Sequence, residues 1–355
     1  ATTLAPGIGD SDTITVTTNN NTVIGGAADD MITVGGGINR VIGDAGEVNL
    51  PTTGDQTVRS IDPTIGGADS ITVQGGVNYV IGGFLGDTIQ GIPAAGLTEP
   101  QIFGLGDNGI MTFNAAGFLT QITSTDMCVA GDDTFQLADS DDVIVAGMGI
   151  DTVNIDRTSG ATLGSNAGND ILLGDNGEIT FIASASDSQP LSVLTTSPEC
   201  SSPDQIFGGN DNDVILGGGG NDTLNAGTDA GDDLVFGDHG YVLYDGDAVS
   251  SLVDTATSDL TVGGAALSAT SLGGVDTIST FAGNDVILGG ADSDILLAGD
   301  DDDHVLGDNG SINLTSHLDT SFTTQTAGIP SEVRVIHPTI GAGDEIHGGA
   351  GHDII

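Results

Sequence analysis

Lysine is absent and arginine occurs only four times, against 51 acids, which leaves a formal charge of -47. A polyanion of this size repels nucleic-acid backbones and anionic membrane surfaces, so neither is expected as a partner. Tryptophan is also absent and aromatic residues make up 4% of the chain. So few large rings cannot fill a wide core; they suit a thin one. No apolar run approaches the roughly 18 residues that a membrane-spanning helix needs. Two cysteines, Cys128 and Cys200, are too few for a disulfide framework. Ala1 is not an initiator Met and opens no signal-peptide pattern, and Ile355 falls inside a repeat. The sequence is therefore expected to be a slice of a longer chain.

Disorder is the ordinary fate of so acidic a composition. Against it stand a mean hydropathy of +0.12 and apolar residues at a fixed period. The stretch Gly217 to Asn225 reads GGGGNDTLN, a full match to the nonamer G-G-x-G-x-D-x-U-x in which U is large and apolar. Gly217, Gly218 and Gly220 allow a tight turn and leave backbone carbonyls uncovered. Asp222 adds a carboxylate beside them, giving the all-oxygen surroundings that a hard cation such as Ca²⁺ requires. Thr223 to Asn225 form a short strand with Leu224 pointing inward. One nonamer buries almost nothing, so the unit works only when stacked.

The pattern returns along the whole chain. Four nonamers run from Gly7 to Ile42, with Asp12, Asn21, Asp30 and Asn39 at position six. Asp69, Asn78 and Asp87 follow, then a looser rung with Pro100 at position six and its apolar end at Ile102 and Phe103. Later blocks carry Asp133, Asp142, Asp151 and Asp170, then Asp204, Asp213, Asp222 and Asp233, then Asp276, Asp285, Asp294 and Asp303. Asp344 and Asp353 begin a sixth. Of 22 nonamers, 18 have Asp at position six, and these 18 carboxylates are the expected metal ligands. The rungs of each complete block end in G-D-x-G, starting at 43, 106, 174, 237 and 307, intervals of 63, 68, 63 and 70 residues. Alternating segments around a turn-rich centre follow each tetrad and are expected to form β-hairpins. The expected blocks are 1–63, 64–127, 128–198, 199–270, 271–338 and the truncated 339–355.

These residues resemble the RTX, or haemolysin-type, calcium-binding repeat family of secreted bacterial proteins. The resemblance implies an all-β fold, a right-handed parallel β-roll or solenoid with two nonamers per coil. It also implies several Ca²⁺ ions held in the turns by position-six carboxylates and turn carbonyls, and export through a type I channel. The hairpins, expected to project every 66 residues or so, depart from uninterrupted RTX blocks. With two nonamers per coil, alternate nonamers share an edge. Asp12 and Asp30 then lie on one edge and Asn21 and Asn39 on the other, as do Asp69 and Asp87 against Asn78. The first two blocks should bind calcium mainly on one edge, and the later blocks on both.

Other residues are read more plainly. The tetrad acids Asp44, Asp107, Asp175, Asp238 and Asp308 are either extra ligands or Asx-type turns that launch the hairpins. His337, His347 and His352 are expected as exposed turn residues rather than a transition-metal site. Four coils between Cys128 and Cys200 at about 4.8 Å each exceed disulfide reach, which predicts free thiols or pairing with another chain. No G-x-S-x-G, H-E-x-x-H or Walker loop occurs, and the acid pairs are explained by the turns, so no enzyme activity is expected. The sequence thus points to an extracellular structural segment of a fibre, surface layer or adhesin stalk. The alternative is the calcium-folding secretion segment of an RTX exoenzyme or toxin. Neither Gly7 to Thr15 nor Gly348 to Ile355 resembles a cap, so self-association into a continuous fibre is expected, with no small-molecule substrate.

Overall fold

The structure is a computed structural model that describes residues 1–2, 7, 9–17, 19–129, 131–155, 157–163, 166–182, 189–244, 255–258, 273–314, 330–335 and 342–355. Most of the fourth block's Ser/Thr/Ala-rich excursion, the tip of the fifth hairpin and His337 lie outside the described residues.

Successive nonamers alternate between two parallel sheets. The outer sheet has eleven strands, from Thr13–Val16 to Glu345–His347, and the middle sheet has ten, from Thr22–Ile24 to His304–Asp308. Thr13 pairs with Met31 and Thr22 with Arg40, so two nonamers make one coil and each edge collects every second turn. The outer strands alternate in burial, as in Met31–Val34. Ile32, Ile71, Ile89 and Leu224 point inward, and the position-eight residues of the middle sheet, such as Val41, Val80, Ile144 and Ile215, meet them. This is the thin core that the nonamer pattern predicts.

The hairpins depart from expectation. They do not project. They join side by side into a ten-stranded antiparallel sheet, from Gly46–Asn49 to Pro330–Val335, that lies on the far face of the middle sheet. Thr2 extends it by a bridge to Glu47. Val58, Met111, Phe113, Ile122, Ile179 and Val193 from the hairpins pack on Ile42, Ile81, Phe103, Leu105, Leu173 and Leu288 from the middle sheet. The middle sheet is therefore covered on both faces, and its central strands read as continuous apolar runs rather than alternating. Val143–Val145 and Ile171–Leu173 are buried at every position.

The spacing explains why this layer forms. Each block places four strands, or two coils, between hairpins, and each hairpin adds two strands. Parallel coils and antiparallel strands both repeat at about 4.7–4.9 Å, so two coils and one hairpin advance equally. An even number of nonamers also returns every hairpin to the same edge. Gly46 and Gly109 lie where the layers approach closely, and an added Cβ would stand 2.4 Å from Ile42 and 2.5 Å from Leu105. Tyr79, Phe103 and Phe113 fill the wider far side, with ring centroids 5.3 and 4.7 Å apart.

One rung is registered differently from the sequence reading. Ile102 pairs with Asn78 and Phe103 with both Tyr79 and Val143. Ile102, not Pro100, stands at position six, and Gly104 stands at position eight. The slip is two residues, which keeps each side chain on its face, and the run IFGL disguised a glycine at the inward position. Ile102 and Phe135 crowd the space above Gly104.

The cysteines are also corrected. Cys128 and Cys200 form a disulfide, with Cα atoms 5.2 Å apart. Only two coils separate them, because the outer strands Thr134–Gln136, Thr152–Val153 and Gln205–Gly209 are successive neighbours. Two steps come to about 10 Å, and the two hairpin return legs bend together across the rest. The Asn176 amide ties them, donating to Met127 O at 3.0 Å and Cys200 O at 3.1 Å.

Candidate metal-binding edges

Position six begins each strand, so its side chain lies in the turn and stacks along the edge. On the edge before the outer sheet stand Asp12, Asp30, Asp69, Asp87, Asp133, Asp151, Asp204, Asp222, Asp276, Asp294 and Asp344. Each Oδ1 after the first accepts the backbone N–H of the Asp one coil earlier, for example Asp30 N–H to Asp69 and Asp222 N–H to Asp276, at 2.7 and 2.8 Å. The other edge divides. Asn21 donates to Asn39 at 2.7 Å and Asn39 to Asn78 at 2.8 Å, an amide ladder that carries no charge. From Ile102 onward it becomes a carboxylate ladder through Asp142, Asp170, Asp213, Asp233, Asp285, Asp303 and Asp353. The parity argument from the sequence therefore places these residues correctly.

Fifteen of the eighteen Asp residues are buried, the exceptions being Asp12, Asp344 and Asp353 near the ends of the ladders. Thirteen of the fifteen leave Oδ2 buried without a hydrogen-bond partner. This is an expensive arrangement, because a buried carboxylate without compensation loses its hydration. Burial first, and then neighbouring carboxylates, push Asp69, Asp276 and Asp294 up to about 8. Burial raises Asp222 to about 7. Asp87, Asp133 and Asp213 rise well above the ordinary range for the same two causes.

The first glycine of the turn forms the wall beside the orphaned oxygen. A Cβ on Gly25 would lie 2.4 Å from Asp30 Oδ2 and 2.1 Å from Gly43 O of the next coil. The same pair flanks Gly82, Gly174, Gly217, Gly237 and Gly289. Each of these turns therefore presents an unpartnered carboxylate oxygen and a backbone carbonyl around a space that only glycine leaves open. That donor set fits a hard, oxygen-seeking cation. Among the described residues no three His, Cys, Asp or Glu side chains converge as a metal cluster, so the remaining ligands of such an ion would come from backbone carbonyls.

The tetrads belong to these turns. Gly43 packs against Asp69, Gly106 against Asp133, Gly174 against Asp204, Gly237 against Asp276 and Gly307 against Asp344. Each hairpin is thus inserted between the first glycine of a turn and its own position-six Asp. The tetrad Asp has a structural part that the sequence reading did not include. Asp44 accepts N–H bonds from Gly67, on the returning leg, and Phe84, in the next coil. Asp175 does the same with Ser202 at 3.1 Å and Gly219 at 2.6 Å, and Asp238 with Gly274 and Ala291. It staples the interrupted turn shut. Burial raises Asp44 to about 7 and Asp107 to about 9.

Sequence reasoning missed two further sets. Residues at position five form a second ladder of opposite sense, in which Asp141 accepts from Asn169, Asn169 from Asn212, Asn212 from Asp232 and Asp232 from Asn284. Its signal was the recurrence of Asp or Asn before the position-six Asp. The third tetrad residue was also missed: Asn108 donates to Pro63 O as Asn176 does to Met127 O, each holding the preceding hairpin's return leg. His347 and His352 are both exposed in the final coil, as expected, but His347 ends the strand Glu345–His347 and does not lie in a turn.

A family model described as the RTX calcium-binding nonapeptide repeat (4 copies) matches residues 6–46, 130–153, 201–230, 272–311 and 341–355. The gaps between these stretches contain every hairpin return leg. No curated protein and no solved structure matches the chain. Nonamer spacing, edge ladders and family match agree: the chain carries RTX calcium-binding nonapeptide repeats, folded as an all-β parallel roll.

Proposed function

We propose that this segment is an extracellular, calcium-folded structural element that lengthens a fibre, layer or stalk, and that it is not an enzyme. The observation that carries the reading is the row of buried Asp oxygens without partners. Thirteen such oxygens stacked at coil spacing oppose folding through desolvation and mutual repulsion. A divalent ion at each turn reverses both terms, so metal binding supplies folding free energy. The ligands would be Oδ2 of residues such as Asp30, Asp69, Asp87, Asp204, Asp222, Asp276 and Asp294, with turn carbonyls. In the first two blocks the amide ladder of Asn21, Asn39 and Asn78 supports binding on one edge only.

Extracellular modules bind calcium at about 10⁻⁴ to 10⁻³ M, so the chain would stay unfolded at cytosolic calcium and fold outside. The disulfide agrees with an oxidising compartment. Among the described residues no helix is long and apolar enough to cross a membrane. Translational repetition supports the fibre reading: the three sheets advance together by whole blocks without closing, so units can be added indefinitely, and copies of the chain are the proposed partners. Circular dichroism in chelator and then in millimolar Ca²⁺ tests the folding step, and electron microscopy of the calcium-loaded chain tests the fibre. A strand spectrum indifferent to chelation would overturn the first, and dispersed single particles at high concentration the second.

A further inference from the structure

The turn of Asp170 differs from its neighbours. Of the other fourteen buried position-six Asp residues, thirteen leave Oδ2 without a hydrogen-bond partner, Asp233 being the exception, and in turns such as those of Asp30 and Asp222 that oxygen faces a carbonyl of the next coil. At Asp170 the side-chain amide of Asn166 stands between the two oxygens. Its Nδ2 donates to Asp170 Oδ2 at 2.5 Å and to Gly208 O. Gly208 O is the counterpart of Gly43 O in the Asp30 turn, since Gly208 is the first residue of the next turn on that edge. Both groups around the amide are acceptors, so the atom between them is the nitrogen. Asn166 and Asp170 are both buried, at 1% and 0% exposure, and Asp170 Oδ2 is absent from the thirteen orphaned oxygens.

We propose that Asn166 is a built-in substitute for the cation at this turn, so that Asp170 is a structural carboxylate and binds no calcium. The inference rests on the proposed calcium reading of the other turns and goes beyond it by removing one. An amide NH₂ supplies two donors at the positions where a cation would accept two oxygens. The row of ions on this edge would therefore have a gap between Asp142 and Asp213, filled at all calcium concentrations. This turn follows the irregular segment after Ile155, where the nonamer spacing is broken, and a metal-independent turn there holds the coil in register before any ion arrives.

The test counts bound calcium per chain by equilibrium dialysis and metal analysis on the full segment and three variants. Asp222→Asn should lose at least one ion, Asp170→Asn should lose none, and Asn166→Gly should gain one. Loss of an ion in Asp170→Asn, to the same extent as in Asp222→Asn, would overturn the proposal. So would loss in Asn166→Gly, because it would mean that the amide turns over and offers its unpartnered Oδ1 to a metal. Crystals of the unaltered chain loaded with strontium give the same answer without relying on any variant to fold: anomalous density at Asp222 and none at Asp170. Density at both overturns this inference alone. Density and bound ions at neither overturn the calcium reading with it.

Discussion

Two adjacent glycines in one turn separate a cation cradle from ordinary backbone strain. Gly25 has no positive φ, and a Cβ there would press on Gly43 O at 2.1 Å and Asp30 Oδ2 at 2.4 Å. Gly26 has φ +123°, and a Cβ there would meet nothing within 4 Å. Gly25→Ala therefore overpacks the cradle at a cost of about 1–3 kcal/mol and closes the space beside an orphaned oxygen. Losing one site at 10 mM Ca²⁺ removes a further ~1.4–2.7 kcal/mol, taking dissociation constants of about 10⁻³ to 10⁻⁴ M. Gly26→Ala costs about 1–2 kcal/mol from the backbone alone. At 10 mM Ca²⁺ the Gly25→Ala total of about 2.4–5.7 kcal/mol exceeds the Gly26→Ala cost, and only the former depends on calcium. Thermal unfolding followed by circular dichroism from 0.5 to 10 mM Ca²⁺ should show the Gly25→Ala deficit growing with calcium and the Gly26→Ala deficit constant. Parallel curves for both variants would refute the placement of a cation beside Gly25.

Four further outcomes are expected. In chelator the raised carboxyls, Asp303 at about 6, Asp285 at about 7 and Asp69 at about 8, hold protons in the folded state that the unfolded chain has released above about pH 4. Calcium-free stability should then be complete at acid pH and fall as pH rises from about 4 to 8; equal strand signal at pH 5 and 8 in chelator would count against the buried ladder. Cys128 and Cys200 lie 72 residues apart in sequence; with a thiol reductant the buried Cys200 should be alkylated rapidly in chelator and slowly in calcium while the exposed Cys128 reacts in both, and Cys128→Ser should cost up to about 4 kcal/mol by loop-closure entropy. Unaltered chemical-denaturation stability in that variant would show that the coils, not the bond, hold the return legs. Phe113→Ala, in a fully buried hairpin position, should cost about 3–5 kcal/mol, and a loss below about 1 kcal/mol would show that the hairpins are not part of the core. Asn39→Asp puts a charge between Asn21 and Asn78 and should destabilise the first block in chelator with partial rescue by calcium, read by hydrogen exchange at Val23 and Val41. No change in protection would refute the amide ladder as a structural element.

The nonamer alone determined a great deal. Asp and Gly at fixed spacing specify a turn, one apolar residue specifies a narrow core, and parity distributes Asp12, Asp30 and Asn21 between two edges. These are local or strictly periodic properties, so they survive without knowledge of the rest of the chain. The sequence also held a signal that the nonamer consensus obscures: VIV at Val143, VIL at Val214 and LVF at Leu234, against TIT at Thr13 and TLN at Thr223, mark alternate rungs as covered on both faces. What covers them could not be read from any single hairpin, because Ile122 and Ile179 become neighbours only when two coils and two hairpin strands advance by the same distance. The same lateral match brought Cys128 to Cys200, and turned Asp44 and Asp175 into staples across a gap of more than twenty residues. Asn166 resembles any loop asparagine until stacking sets Gly208 O opposite Asp170. Periodicity along the chain fixed the rungs, and commensurate spacing between layers, which exists only in three dimensions, decided the rest.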